Sequence, residues 1–285
     1  MTFWLPKEFK RRARSQWKKF RTDVLRSSSG FSRPDLVHLF RRVGVTLGDT
    51  LLVHSSFDKF AGFLGKPSEI ISALLEALGP MGTLLMPTLP FTGTAVEYVK
   101  KGIVFDVKKT PSQMGFLTEI FRRSPGVIRS VHPTHPVAAC GLLATEILRE
   151  HSMAGTPCGR KTPYGRLLDH GGKILFLGTD ISVMTFFHTV EEILESQIPF
   201  SPFTKETFVV KSRDENGDLV ITQTRLFEQY YSRRRNLEKL VPVLKRQHWW
   251  RESDLCNLKA ILLNASDVLE ATSILAKQRI YCYEQ

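Results

Sequence analysis

Three short apolar runs constrain the fold of this 285-residue chain more than any other feature. The segments from Thr50 to Ser56, Thr83 to Thr88 and Lys173 to Gly178 have the length and composition of buried strands. Between the first two lies Pro67 to Leu78, whose apolar residues recur at helical spacing and which is followed by Gly79-Pro80. A strand, helix, strand order predicts a right-handed crossover and a parallel pair. We therefore predict an α/β fold with a mostly parallel central sheet and flanking helices.

The pattern changes after residue 200. The segments Thr207 to Lys211 and Leu219 to Thr224 flank a turn that contains Asn216-Gly217, which is typical of a β-hairpin. We therefore predict an antiparallel insertion near residues 205–225. Periodicity further predicts helices at about 114–123, 182–196 and 235–246, a strand at about 259–263, and a last helix capped by Ser266.

The first 30 residues differ in charge from the rest of the chain. The formal net charge is +12, and residues 1–30 contribute +7 of it through nine lysines and arginines against Glu8 and Asp23. Apolar residues recur among these cations at spacings of three and four, which predicts a basic amphipathic helix. We expect two units, a basic arm at 1–30 and one globular domain at 31–285, whose first helix extends from the Ser32 cap to about Val43.

The arm has two interpretations. Its cations and apolar stripe suit an anionic membrane surface, and the same stripe suits packing against the domain or against a second subunit of a homo-oligomer. The sequence shows neither an apolar run of about 18 residues nor the apolar core of a secretory signal. We therefore expect a cytoplasmic protein, peripheral to the inner face of the membrane if the arm binds lipid.

Two other classes of site find no support in the sequence. Nucleic acid is not expected as a partner, because no helix-turn-helix, RNP-like strand or zinc finger pattern is present. The cysteines are far apart and form no C-x-x-C pair, which predicts packed, reduced thiols rather than a zinc site or a disulfide framework. They are Cys140, Cys158, Cys256 and Cys282.

Two clusters carry side chains suited to chemistry. In the first, His132 and His135 lie on a loop that Pro133 and Pro136 stiffen, and rigid loops position catalytic side chains well. The second cluster has helical spacing, so one helix face would hold a hydroxyl, an imidazole and a carboxylate. Its members are Thr185, His188, Glu191 and Glu192.

The order of short motifs resembles that of a known family. LLVHSSF, GTLLMPT, TPSQMG, IRSVHPTHPVAACG, KTPYGRLL, ILFLG and TFFHTVEE follow one another over about residues 35–200 as in aminoglycoside 3-N-acetyltransferases. The most specific part is the His-Pro motif followed by Thr-x-x-His-x-x-Glu. The resemblance implies an α/β enzyme that moves an acetyl group from acetyl-CoA to an amine of a small sugar-like substrate, in a ternary complex and without a metal.

The resemblance also implies roles for individual residues. The reaction centre would be lined by His132 and by His188 with Glu191. Coenzyme A would be bound by a hydroxyl-bearing strand end and by the loop at 110–115. The residues concerned are His54, Ser55, Ser56, Ser112, Met114 and Gly115.

These residue types suit the attack of an amine on a thioester. Only an unprotonated amine attacks, and a histidine with a pKa near neutral can remove the proton, while a carboxylate fixes its tautomer. We assign the base to His132, supported by Glu191 or His188, although the sequence leaves His135 and His188 open as alternatives. The oxyanion needs donors, for which backbone N–H groups or the Thr185 hydroxyl are suited, and His135 and Glu192 are candidates to contact the substrate.

The chain departs from the family pattern in two respects. Pro136 stands where the family usually has a serine, so a hydroxyl contact is lost. The chain is also basic beyond its arm, whereas a site for polycationic aminoglycosides should be acidic. An anionic or nucleotide-linked amino sugar is therefore the expected acceptor.

Two alternatives from other classes follow from the same residues. Pro136 and the basic arm suit a catalytically inactive scaffold that associates with membranes. The set of His54, His132, His135 and Glu191 has the ligand types of a metal hydrolase, although without tight ligand spacing.

Overall fold

The computed structural model describes residues 30–284, which form three layers of helix, sheet and helix. The helices are α1 (Arg33–Val43), α2 (Pro67–Leu78), α3 (Ala95–Val99), α4 (Phe116–Arg122), α5 (Ala144–Leu148), α6 (Pro163–Asp169), α7 (Phe187–Ile193), α8 (Gln229–Ser232), α9 (Val241–Arg246) and α10 (Ala265–Lys277). The strands are β1 (Thr50–Ser55), β2 (Thr83–Pro87), β3 (Phe105–Asp106), β4 (Ile128–Arg129), β5 (Val137–Gly141), β6 (Lys173–Leu177), β7 (Phe208–Arg213), β8 (Leu219–Thr224), β9 (Arg251–Leu255) and β10 (Leu258–Asn264).

The central sheet has seven strands in the order β4-β5-β2-β1-β6-β10-β9. The three apolar runs of the sequence are its central strands, and β1 pairs parallel with both β2 and β6. The outer strands add antiparallel pairs on both sides. The α/β class is therefore confirmed, with the parallel pairing confined to β2, β1 and β6.

Alternation along the central strands supplies a core on each side of the sheet. Leu52 and Phe176 point to the side covered by α6, α7 and α10, and Leu51 and Leu175 point to the side covered by α1 and α2. All four side chains are buried. Because both faces are covered, the strands are apolar along almost their whole length, which is why they stand out in the sequence.

The chain leaves β1 toward β2 on one side and reaches β6 on the other. The carboxyl ends of β1 and β6 therefore border a crevice of the kind in which open α/β sheets bind ligands. The segments that follow β1, β2 and β6, and the loop that precedes β5, all meet at this edge.

The predicted hairpin insertion is present as β7 and β8, which pair antiparallel. Its turn is closed by Asp214, whose carboxylate accepts the N–H groups of Asn216 and Asp218, both at 2.9 Å. The short strand β3 extends this second sheet by pairing parallel with β7.

Other element predictions need correction at their ends. The last helix is preceded by Asn264 as its N-cap residue instead of Ser266, and the predicted helix at 182–196 is only α7 with short 3₁₀ turns on either side. The arm at 1–30 lies outside the described residues except for Gly30. Within residues 30–284, no helix combines the length and apolar character that spanning a bilayer requires.

Candidate active site

A histidine and a carboxylate meet on α7. Nδ1 of His188 lies 2.8 Å from Oε2 of Glu191, one helical turn further on. The Glu191 side chain is 1% exposed and that of His188 is 15% exposed. The spacing that the sequence indicated therefore produces a dyad whose carboxylate is enclosed and whose imidazole reaches the surface of a pocket.

Two further side chains hold Glu191. Arg235 donates from Nε to Oε1 and from Nη2 to Oε2, each at 3.0 Å, and the Tyr283 hydroxyl donates to Oε1. Burial alone would raise the pKa of Glu191, but the Arg235 charge and the bonds from His188 and Tyr283 outweigh it and lower the pKa to about 2. Glu191 is therefore ionised and accepts only.

The ionised carboxylate determines the tautomer of His188. Since Glu191 has no proton to donate, the 2.8 Å hydrogen bond at Nδ1 requires the proton on that nitrogen, and the longer 3.3 Å approach of Nη2 of Arg235 to the same atom is then a contact without a hydrogen bond. Burial, together with the nearby charge of Arg235, lowers the pKa of His188 despite the opposing effect of Glu191. The imidazole is therefore neutral near pH 7. Its Nε2 carries a lone pair, and no hydrogen bond within residues 30–284 occupies that atom.

His188 borders a pocket of about 220 Å³ at the carboxyl edge of the sheet. The ring of Phe227 stacks on His188 with centroids 3.8 Å apart, and Phe91 contacts His135. The rings of His135 and His188 face each other edge to face, with centroids 5.7 Å apart. The structure thus brings His135 and His188 together in the wall of a pocket that also contains Phe91 and Phe227, and Glu191 contacts His188 from outside that wall.

His132 is placed differently. It is fully buried, and its Nδ1 accepts the backbone N–H groups of Thr134 and His135 at 3.3 and 3.2 Å. Its ring stacks on His151 at 4.4 Å, and it is not among the residues that line the pocket of His188. Through these contacts, His132 stabilises the conformation of the loop that carries His135.

The departure at Pro136 is accommodated by the backbone. The Pro136 carbonyl accepts two hydrogen bonds from Thr88, one from its backbone N–H at 2.8 Å and one from its side-chain hydroxyl at 3.0 Å. These bonds join the loop to the segment after β2 without any side-chain hydroxyl at position 136.

The residues predicted to bind coenzyme lie at the same edge. His54 is buried at the end of β1, stacked on Phe176 at 5.4 Å, and burial lowers its pKa to about 3. Ser55 and Ser56 are partly exposed. The Phe57 and Phe116 rings, with centroids 5.0 Å apart, join this strand end to the segment that contains Met114 and Gly115.

The loop at 110–115 is tied down from two sides. The Ser112 hydroxyl accepts the N–H of Met114 at 3.2 Å, and Gln113 donates its N–H to Leu89 at 2.8 Å. Arg129, 9% exposed, donates to the carbonyls of Thr88 and Thr110 at 2.6 and 2.7 Å. Arg129 therefore fixes this loop to the segment after β2.

The remaining predicted residues do not line the pocket of His188. Glu192 turns away from it and accepts the Thr156 hydroxyl at 2.5 Å in a separate cleft of about 440 Å³. Thr185 is buried just before α7. The proposed metal ligands do not converge, and residues 30–284 contain no group of three or more His, Cys, Asp or Glu side chains that could hold a metal ion.

Sequence reasoning missed Arg235 and Tyr283 as partners of Glu191. Arg235 is the third arginine of a run of three, and Tyr283 lies 92 residues after Glu191. Neither has a local motif, because only tertiary packing brings it to the carboxylate. A buried carboxylate does require partners, and that requirement was the available signal.

Comparisons with known proteins agree with this architecture. The aminoglycoside N(3)-acetyltransferase IX of Micromonospora chalcea is 30% identical over 186 residues, which is 60% of this chain and 66% of that protein. The alignment thus spans slightly less than two thirds of the relative's length. The solved structure of the aminoglycoside acetyltransferase AAC(3)-Xa superposes with a TM-score of 0.79 at 24% identity, covering 92% of this chain and 99% of that one.

A second solved structure, AAC-IIIb in a binary complex with CoASH, has a TM-score of 0.76 at 21% identity and covers 90% of this chain and 100% of its own. These two likenesses establish the fold. The sequence profile of the aminoglycoside 3-N-acetyltransferases matches residues 52–276. That match includes the central sheet from Leu52 of β1 onward and the His188–Glu191 dyad, and the chain therefore belongs to the aminoglycoside 3-N-acetyltransferase family.

Proposed function

We propose that the protein transfers an acetyl group from acetyl-CoA to an amine on a single sugar-like ring, with His188 as the general base. The observation that carries this proposal is the neutral His188 with Nδ1 held by Glu191 and Nε2 free at the pocket. Family membership supports the reaction class.

The arrangement suits each proton transfer of the reaction. The amine nitrogen attacks the thioester carbonyl carbon and forms the C–N bond, while its proton passes to Nε2 of His188. Collapse of the tetrahedral intermediate breaks the C–S bond, and the coenzyme thiolate takes a proton from the imidazolium. Glu191 stabilises that cation between the two steps, as a carboxylate does beside a catalytic histidine.

His132 and His135 have supporting roles in this proposal. His132 holds the loop through its bonds to backbone N–H groups. Nδ1 of His135 is 2.9 Å from the Thr134 hydroxyl, and its ring forms part of the pocket wall opposite His188. We assign His135 to contacts with the acceptor.

The coenzyme is proposed to bind along Ser55, Ser56 and the segment from Ser112 to Gly115. Support comes from the position of these segments beside the crevice between β1 and β6 and from the contact of Phe57 with Phe116. The structural neighbour solved with CoASH provides a precedent on the same fold.

The acceptor is proposed to be a neutral or anionic amino sugar. The pocket of about 220 Å³ has Phe91 and Phe227 in its wall, and aromatic faces suit the apolar face of one sugar ring. No carboxylate is among its lining residues within 30–284. A multi-ring polycation would meet no negative charge there, whereas one amino sugar ring would be enclosed.

A thiol-release assay with acetyl-CoA tests the proposal. The panel would contain monocyclic amino sugars, nucleotide-linked amino sugars and aminoglycosides, with His188→Ala as the negative control. We expect turnover with the first two groups that the control lacks. Turnover that persists in His188→Ala removes the histidine from the mechanism, and turnover only with aminoglycosides overturns the assignment of the acceptor.

Coenzyme binding can be tested without an acceptor. A ligand at 100 times its dissociation constant stabilises the folded state by about 2.7 kcal/mol, so CoA should raise the melting temperature clearly. Absence of any shift at millimolar CoA contradicts the coenzyme assignment.

A further inference from the structure

Segment 281–284 pairs with segment 234–236 beside the active site. Arg235 and Tyr283 form an antiparallel bridge. Around it, Asn236 donates its N–H to Cys282 at 2.9 Å, and Glu284 donates to Arg234 at 2.7 Å. The two side chains that hold Glu191 therefore come from opposite residues of one backbone bridge.

Further contacts fix the position of Tyr283. Lys239 donates from Nζ to the carbonyls of Tyr281 and Tyr283 at 3.0 and 2.5 Å. The Tyr283 ring, which is 7% exposed, packs edge to face against Phe200 with centroids 4.8 Å apart. These contacts hold the Tyr283 ring in the position from which its hydroxyl donates to Glu191.

From this geometry we infer that Tyr283 is a positioning residue of the acetyl transfer, an inference that rests on the function proposed above. Its hydroxyl and Nε of Arg235 both donate to Oε1 of Glu191, which leaves Oε2 for Nδ1 of His188 and for Nη2 of Arg235. Tyr283 also lies beyond residues 52–276, the part matched to the family.

The tyrosine is inferred to act on both the geometry and the basicity of the dyad. A donor on Oε1 prevents rotation of the carboxylate away from His188, and it withdraws negative charge from the oxygen that faces the imidazole. The other charged and titratable groups around the dyad are Arg235 and His135, with Cys158 and Cys282 near Glu191. None of these is altered when the tyrosine loses only its hydroxyl.

The substitution Tyr283→Phe tests this inference, because it keeps the ring packing and removes one oxygen. We expect kcat to fall about tenfold, equivalent to 1.36 kcal/mol, with the acceptor KM changed less than about twofold. Without the tyrosine hydroxyl, Oε1 keeps only the hydrogen bond from Nε of Arg235, so Glu191 becomes more basic and stabilises the imidazolium more strongly. The acidic limb of the kcat/KM profile should therefore move to higher pH, as should the pKa of His188 measured by NMR on ¹³C-labelled histidine.

The matched control is Tyr281→Phe, which removes a hydroxyl two residues away that makes no hydrogen bond to the dyad within the described part of the chain. It should leave the rate and both pH readouts unchanged. An unshifted His188 pKa in Tyr283→Phe, or the same shift in both variants, overturns the inference. The NMR readout needs no turnover, so absence of acetyl transfer in the wild-type protein defeats the proposed function, while the effect of Tyr283 on the His188–Glu191 dyad is still tested.

Discussion

His188 and His132 are both imidazoles, but their surroundings differ. His188 has one ring nitrogen at the pocket, whereas His132 is enclosed and its Nδ1 accepts hydrogen bonds from two backbone N–H groups. Proton transfer requires reach to the substrate before it requires a suitable pKa. The two histidines should therefore respond to mutation in different ways.

We predict that His188→Ala lowers kcat by about 10²–10⁴-fold with CoA affinity nearly unchanged. In contrast, His132→Ala should lower the melting temperature, because it removes an enclosed ring and leaves two buried N–H groups without an acceptor. Steady-state kinetics and thermal unfolding of both variants check this. A folded His132→Ala protein with the same loss of kcat would contradict the assignment.

The free energy of unfolding should decrease as the pH falls, and this decrease should begin near the ordinary histidine pKa of 6.5. Burial lowers the pKa of His54 to about 3 and of His151 to about 4, from the ordinary 6.5. The unfolded chain therefore binds more protons than the folded one below pH 6.5, so stability is lost as the pH falls. Glu191 adds a loss of the same sign between pH 4.5 and about 2.

Urea unfolding between pH 4 and 8 measures this effect. We expect a plateau above about pH 7 and a decline below it, and His54→Leu should reduce the slope by up to about 1.36 kcal/mol per pH unit. An unchanged slope in that variant would show that His54 is not neutral in the folded protein.

At the residue scale, the sequence predicted the pair of site residues that lie close together along the chain. The three-residue interval between His188 and Glu191 is fixed by helix geometry, so it could be recognised without a structure. The contacts of Arg235 and Tyr283 depend on how distant segments pack. The burial of His132 depends on tertiary packing in the same way, and the motif alone could not separate it from His188.

At the scale of elements, α6 packs closely against the loop that precedes it. A Cβ on Gly165 would lie 2.5 Å from the backbone carbonyl carbon of Arg160, a separation that real contacts do not allow. Alanine normally favours a helix over glycine by about 1 kcal/mol. Here the backbone contact should outweigh that preference.

We therefore predict that Gly165→Ala lowers the free energy of unfolding. Gly155→Ala is the control, since its Cβ would meet nothing within 4 Å and its φ is not positive. The control should be neutral or stabilising by about 0.4–1 kcal/mol. Chemical denaturation of both variants measures the free energy of unfolding. A Gly165→Ala protein as stable as the wild type would show that the loop at Arg160 can move away from the added methyl group.

The elements that the sequence predicted best are those buried on both sides. Strands β1, β2 and β6 and helix α2 were located almost to the residue, because their burial dictates an unambiguous apolar pattern. Strand β9 was missed, since its side chains are polar and only partly buried at the edge of the sheet. Edge strands lack the signal that burial provides.

At the scale of the whole molecule, the excess of positive charge is concentrated in the arm at 1–30. We propose that this arm binds anionic lipid, because each cation near such a surface contributes about 1 kcal/mol. Full-length protein should co-sediment with anionic vesicles at low salt and be released as salt increases, while protein lacking residues 1–30 should stay in solution.

Neutral vesicles and the truncated protein are the controls. Equal sedimentation of both forms would exclude the arm as the anchor. A lower melting temperature or a changed oligomeric mass after truncation would instead support packing of the arm against the domain or a second subunit.

The network around Glu191 also has a consequence for the order in which the molecule assembles. His188 is a near neighbour of Glu191 in sequence, but Arg235 follows it by 44 residues and Tyr283 by 92. Contacts between such distant segments form only after the intervening chain has closed into loops. Glu191 can therefore gain Arg235 and Tyr283 as partners only after the segments that carry them have been synthesised, so we expect the hydrogen bonds around the His188–Glu191 dyad to be completed late in folding.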